Sequence, residues 1–125
     1  MNSAAIAVLF TTVVFQPQTF DEAAKKAEAN QRTLVVVVGA TWCPACQVLK
    51  NQVLPEVARR GGLDNVEYAY VDYDEQTDLA RQLMQGSQIP QVIRFSTDGE
   101  RWTSDRRQGR QSVESLLKFL NGHDK

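Results

Sequence analysis

The sequence predicts an α/β fold in which a central mixed β-sheet carries helices on both faces. Three observations predict it. Leu34–Val38 is an unbroken, mostly β-branched apolar run closed by Gly39, as expected of a strand buried on both faces. Strand-like runs alternate with segments of helical periodicity, the pattern that produces parallel β-α-β units. Asp98-Gly99 is a hairpin dipeptide, so the last two strands should pair antiparallel.

The 125 residues fit one domain, read as 13–125 behind an N-terminal segment 1–12. A hydrophobic fraction of 42% supplies enough apolar surface to offset the cost of ordering the chain. Lys and Arg number 14 against 15 Asp and Glu, a net charge of −1 without the basic excess of a nucleic-acid binder. The longest apolar runs fall short of a membrane-spanning helix, so no stable membrane span is expected.

Each element has a local reason. Ala4–Phe10 has the apolar character of a short signal-peptide core, but no Lys or Arg precedes it and no A-x-A site comes after it. Residues 1–12 are therefore an export remnant or the start of a first strand, and exported and cytoplasmic locations both stay open. Thr11–Val14 favours a strand by its β-branched run. Thr19 and Glu22 fit a capping box, with Phe20, Ala23, Ala24 and Ala27 on one helical face. After the strand Leu34–Val38, Pro44 suits the first turn of a helix. The apolar face of that helix is Cys46, Leu49, Val53 and Val57. Pro55 should kink it, because proline cannot donate to the carbonyl of Asn51. Val66–Val71 reads as a strand and Thr77–Gln85 as a short helix closed by Gly86. Ile89-Pro90 precedes a strand over Gln91–Phe95, and Arg101–Thr103 should return beside it. Ser112 can cap a last helix whose face is Val113, Leu116, Leu117 and Leu120.

The chemistry concentrates in Trp42-Cys43-Pro44-Ala45-Cys46. A cysteine just before a helix meets unpaired N–H groups and the positive end of the helix dipole, both of which favour its reactive thiolate. Cys46 lies one helical turn later on nearly the same face, so the two sulfurs can reach each other. Burial would keep the Cys46 thiol protonated. Such an asymmetry suits attack by Cys43 on a disulfide and resolution by Cys46. A purely structural disulfide, or a pair of core thiols, is the competing reading. An intramolecular zinc site lacks ligands, since His123 is the sole histidine. A metal or cluster shared between two chains stays open.

The motif and its setting resemble the thioredoxin-like family over about residues 13–120. The resemblance is carried by Trp42–Cys46, Ile89-Pro90, the Asp98-Gly99-Glu100 turn and Gly109. It implies a thioredoxin fold and a monomeric thiol–disulfide oxidoreductase without a dissociable cofactor. Its partners would be protein disulfides and an upstream thiol reductase or oxidase. It further implies that Pro90 is cis and lies against the cysteines. The Ile89 backbone would pair with an extended substrate, on a rim formed by Trp42, Pro44, Ile89, Pro90 and Gln91. Thioredoxins carry a buried aspartate six positions before the first cysteine, where this chain has Val37. The dipeptide between the cysteines is Pro-Ala, without the histidine common in oxidising members. Gln91 stands where threonine is usual in thioredoxin. These departures look more like the specialised, often exported, thioredoxin-like proteins of bacteria. The expected direction is reduction of partner disulfides. The alternative is a thioredoxin-fold scaffold whose CxxC never turns over.

Arg101, Arg106, Arg107 and Arg110 read as charges guarding an edge strand rather than as a docking patch. Asp72, Asp74, Glu75 and Asp78 lack the spacing of a calcium loop and read as caps and solvated charges. Tyr68, Tyr70 and Tyr73 read as parts of a half-buried strand.

Overall fold

Strands β1 (Thr33–Gly39), β2 (Val66–Asp72), β3 (Gln91–Thr97) and β4 (Trp102–Gln108) form one sheet in the order β2-β1-β3-β4. The structure, a computed structural model, describes residues 18–122. Segment 1–12, the expected strand over Thr11–Val14, and His123 lie outside the described residues. β1 pairs parallel with β2 and antiparallel with β3, and β3 pairs antiparallel with β4. The sheet is thus mixed, as the sequence predicts. Gln18 makes an isolated parallel bridge to Ala69 on the outer side of β2.

β1 is central and buries both faces, which is why its apolar run does not alternate. Val35 and Val37 point to one side, where they pack with Leu49, Leu54, Val57, Leu116 and Phe119. Val36 and Val38 point to the other, against Ala23, Ala27, Ala80 and Ile93. Helices α1 (Phe20–Asn30) and α4 (Thr77–Leu83) supply that second face. The first face is covered by α2 (Pro44–Val48), α3 (Leu54–Arg59) and α5 (Val113–Leu120). The predicted caps form: Thr19 Oγ1 accepts from Glu22 N at 3.2 Å, and Ser112 Oγ from Ser115 N at 3.0 Å.

Four details differ from the sequence expectation, each for a physical reason. The helix after the cysteines is interrupted by a π-helical turn over Leu49–Val53, where Leu54 N–H donates five residues back to Leu49 O. Pro55 cannot supply its i→i−4 bond, and the wider turn absorbs that loss. A π turn rotates the helix beyond it, so Leu54, absent from the predicted face, becomes fully buried. The next helix, α4, ends at Leu83 rather than Gln85, and Met84 is extended with ψ 152°. Both backbone polar groups of Gln85 are held by the Gln91 side chain, which draws the chain out of the helix. β4 runs to Gln108, well past the predicted Thr103, because hairpin pairing extends through a polar stretch with no apolar alternation to announce it. On α5, Leu116 and Phe119 are the buried residues, while Val113, Leu117 and Leu120 flank them.

The arginines of β4 do more than guard an edge. Arg106 Nη1 donates to Leu83 O at 3.1 Å and to Gln91 Oε1 at 2.9 Å. The Arg94 and Arg107 guanidiniums lie 4.9 and 4.7 Å from the Phe119 ring centroid. No helix of the described residues is long and apolar enough to cross a membrane.

Candidate active site

β1 delivers the chain to Gly39 and Ala40, and a tight turn then presents Cys43 as the N-cap of α2. Cys43 N–H donates to Ala40 O at 3.2 Å and Gln47 Nε2 to the same carbonyl at 3.1 Å, which fixes that turn. Cys43 has extended backbone (φ −96°, ψ 110°), and Pro44 opens the helix, where a missing N–H is harmless. Cys43 Sγ accepts from Cys46 N at 3.2 Å. The same amide would stabilise negative charge on that sulfur in the reduced protein.

A disulfide joins Cys43 to Cys46, with Cα atoms 5.2 Å apart. The two cysteines differ in access: Cys43 is 7% exposed and Cys46 is 0% exposed. Ala40, Ala45, Tyr73 and Ile89 pack around them. The Ile89–Pro90 bond is cis, Pro90 is buried, and Cys43 Sγ lies 4.0 Å from Ile89 O. Gly109 N–H donates to Pro90 O at 2.8 Å, tying this loop to the end of β4.

Trp42 is 65% exposed, and its indole N–H donates to Asp74 Oδ2 at 2.7 Å. Pro44 is also exposed and Ile89 is half-buried. The structure therefore brings Trp42, Pro44, Ile89 and Pro90 around Cys43. Gln91 departs from the expected rim: its side chain is 0% exposed and turned inward. It donates to Gln85 O at 2.8 Å and Gln88 O at 2.9 Å, and accepts from Gln85 N and Arg106. Its role is to hold the loop that carries Ile89 and Pro90. Gln91→Ala is expected to cost about 1–3 kcal/mol, since it orphans several polar groups at once. Urea denaturation of the purified variant checks this.

Val37 is fully buried among apolar neighbours, so no carboxylate lies behind Cys46 at that position. Across from it in the β1–β2 register stands Tyr70. Burial, with the Asp72 charge adding to it, pushes the Tyr70 phenol up to about 12. Sequence reasoning missed Tyr70 as part of the site, and missed Asp74 as the anchor of Trp42. The closing glycine of β1 was the available signal. A Cβ built on Gly39 would collide with Tyr70 Oη and lie 3.1 Å from Cys46 Cβ.

Comparison with known proteins agrees with this geometry. Residues 20–122 match the thioredoxin-like domain family. The chain is 31% identical over 100 residues to chloroplastic 5'-adenylylsulfate reductase 3 of Arabidopsis thaliana, covering 77% of this chain and 21% of that protein. It thus spans about a fifth of the length of the curated relatives it matches. Among solved structures it is similar to a thioredoxin from Thermus thermophilus, with 25% identity and a TM-score of 0.71 over 86% of this chain and 85% of that one. Chloroplastic thioredoxin z is also similar, at 22% identity and a TM-score of 0.69 over 87% of this chain and 93% of that one. The match spans the sheet, its flanking helices and the cysteine pair alike, and the chain belongs to the thioredoxin-like domain family.

Proposed function

We propose that this chain reduces disulfides in partner proteins, with Cys43 as the attacking thiolate and Cys46 as the resolving thiol. The observation that carries the assignment is the unequal burial of the two cysteines: Cys43, at the start of the helix, keeps an edge at the surface and Cys46 has none. A partner disulfide reaching Cys43 would be attacked there. A mixed disulfide forms and one partner thiolate leaves and is protonated. Cys46 then loses its proton and attacks Cys43 sulfur. The Cys43–Cys46 disulfide forms and the second partner thiolate departs and takes up a proton. Two electrons have moved from the chain to its partner, and an upstream thiol reductase must return them. Trp42, Pro44, Ile89 and Pro90 would frame the approaching segment, with the Ile89 backbone available to pair with it. The absence of a histidine between the cysteines and the reductase names of the curated relatives favour this direction.

The test is Cys46→Ser. The variant is expected to accumulate mixed disulfides through Cys43 that dithiothreitol releases, while a Cys43→Ser, Cys46→Ser control traps nothing. Absence of trapped partner would leave the fold as a scaffold. Equilibration of the dithiol pair against glutathione reads the direction: a potential near about −270 mV supports a reductant, and one near about −120 mV makes the chain a disulfide donor.

A further inference from the structure

Tyr70 places a buried hydroxyl beside the cysteine pair. It lies on the face of β2 that packs with the helices after the cysteines. Its Oη is buried and has no hydrogen-bond partner among the described residues. A buried hydroxyl is normally satisfied, so an orphan of this kind calls for a cause.

Gly39 points to the cause. This glycine is not in the left-handed region that would demand it. The space a side chain would fill is instead bordered by Tyr70 Oη on one side and Cys46 Cβ on the other. The glycine thus lets the phenol approach the resolving cysteine. Tyr70 also borders an open polar cleft of about 480 Å³ lined by Thr41, Lys50, Asp72 and Glu75.

We propose that Tyr70 is a positioning residue for the resolving step: its O–H donates to the Cys46 sulfur when that sulfur is a thiolate. This rests on the resolving role given to Cys46 above. In the disulfide form, Cys46 sulfur is a neutral, weak acceptor, and the hydroxyl is left unpartnered. In the reduced form, the thiolate is an anionic acceptor for which the phenol is a charge-assisted donor. The orphan is thereby explained by a partner present in only one half of the cycle.

The phenol stays protonated throughout, because burial and Asp72 hold its titration far above neutrality. The proton lost by Cys46 is matched by the one taken up by the departing partner thiolate, so Tyr70 gains and loses nothing. Other charges facing this region are Lys50, whose Nζ sits 4.7 Å from the Tyr70 ring centroid, and the carboxylates Asp72 and Glu75. Cys43 faces Cys46 from the helix N-terminus, and Val37 opposite Tyr70 on β1 is uncharged. Lys50 favours the Cys46 thiolate and the two carboxylates oppose it. The Tyr70 hydrogen bond acts on that balance at short range.

The test uses a Cys43→Ser background, in which Cys46 is the single thiol and titrates alone by thiolate ultraviolet absorbance. Adding Tyr70→Phe is expected to raise the Cys46 pKa by about one unit, the scale of one hydrogen bond to a charged group. With Cys43 restored, resolution of a preformed mixed disulfide should slow about threefold at neutral pH, since the roughly tenfold loss of thiolate is partly offset by the greater nucleophilicity of a thiolate of higher pKa. An unchanged Cys46 titration overturns the proposal, even if Tyr70→Phe alters thermal stability. A second readout needs no variant: in the reduced protein the Tyr70 ring-carbon resonance should shift as Cys46 titrates, and an indifferent resonance also overturns it. Partner trapping by Cys46→Ser does not involve Tyr70, so failure here is separable from failure of the resolving role.

Discussion

Cys43→Ser is expected to lower the rate of disulfide reduction by about three orders of magnitude or more, the usual scale for losing the nucleophile. The substitution is informative because it should spare the fold. Cys43 is the N-cap of α2, and serine is among the best N-cap residues. The Cys46 amide that now donates to Cys43 Sγ would find a hydroxyl oxygen instead. An insulin-reduction assay supplied with a chemical reductant measures the loss, and urea denaturation of both reduced proteins checks that stability is kept. Retained turnover would mean that exchange does not begin at Cys43.

Phe119→Ala should have the largest effect on stability, about 3–5 kcal/mol for removing a buried phenylalanine. That is a large part of the roughly 5–15 kcal/mol that typically holds a domain together. Phe119 is 0% exposed and fills the layer between α5 and the sheet beside Leu54, Val57 and Val92. Its ring is also the platform for Arg94 and Arg107, and Arg94 Nη1 donates to its backbone carbonyl. Truncation therefore empties a cavity and removes a stacking surface together. The urea midpoint of the reduced variant reports it, and a shift below about 1 kcal/mol would show that α5 does not depend on this ring.

The range of each interaction decides whether the sequence disclosed it. The unbroken run Leu34–Val38, the capping residues Thr19 and Ser112, and Pro44 opening a helix are local signals, and each element they imply is present. The pair Cys43 and Cys46 was legible because helix geometry alone brings residues three apart together. Gln91 was misread because nothing local tells whether a glutamine beside a proline turns out or in. Its direction is set by Gln85, Gln88 and Arg106, which only the folded chain gathers. Tyr70 shows the same limit: period-two alternation gives its face of the sheet, but not the alignment of its hydroxyl with Gly39 and Cys46. On α5, apolar spacing found the face but omitted Phe119, which the fold buries against Leu54, Val57 and Val92 and beneath arginines from two strands.

The π turn over Leu49–Val53 has a consequence for how this chain tolerates changes in length. A wider turn accommodates roughly one residue beyond the α-helical count. Removing a single residue there would tighten the turn toward α-helical spacing, with Pro55 still leaving one i→i−4 bond unmade and with Pro44 and Cys46 still in place at the helix start. A deletion inside α3 has no such slack and would swing Leu54 or Val57 by about 100° away from the core. The segment behind the cysteines therefore holds its own length reserve, placed so that variation in the distal half of the helix need not reach the two sulfurs.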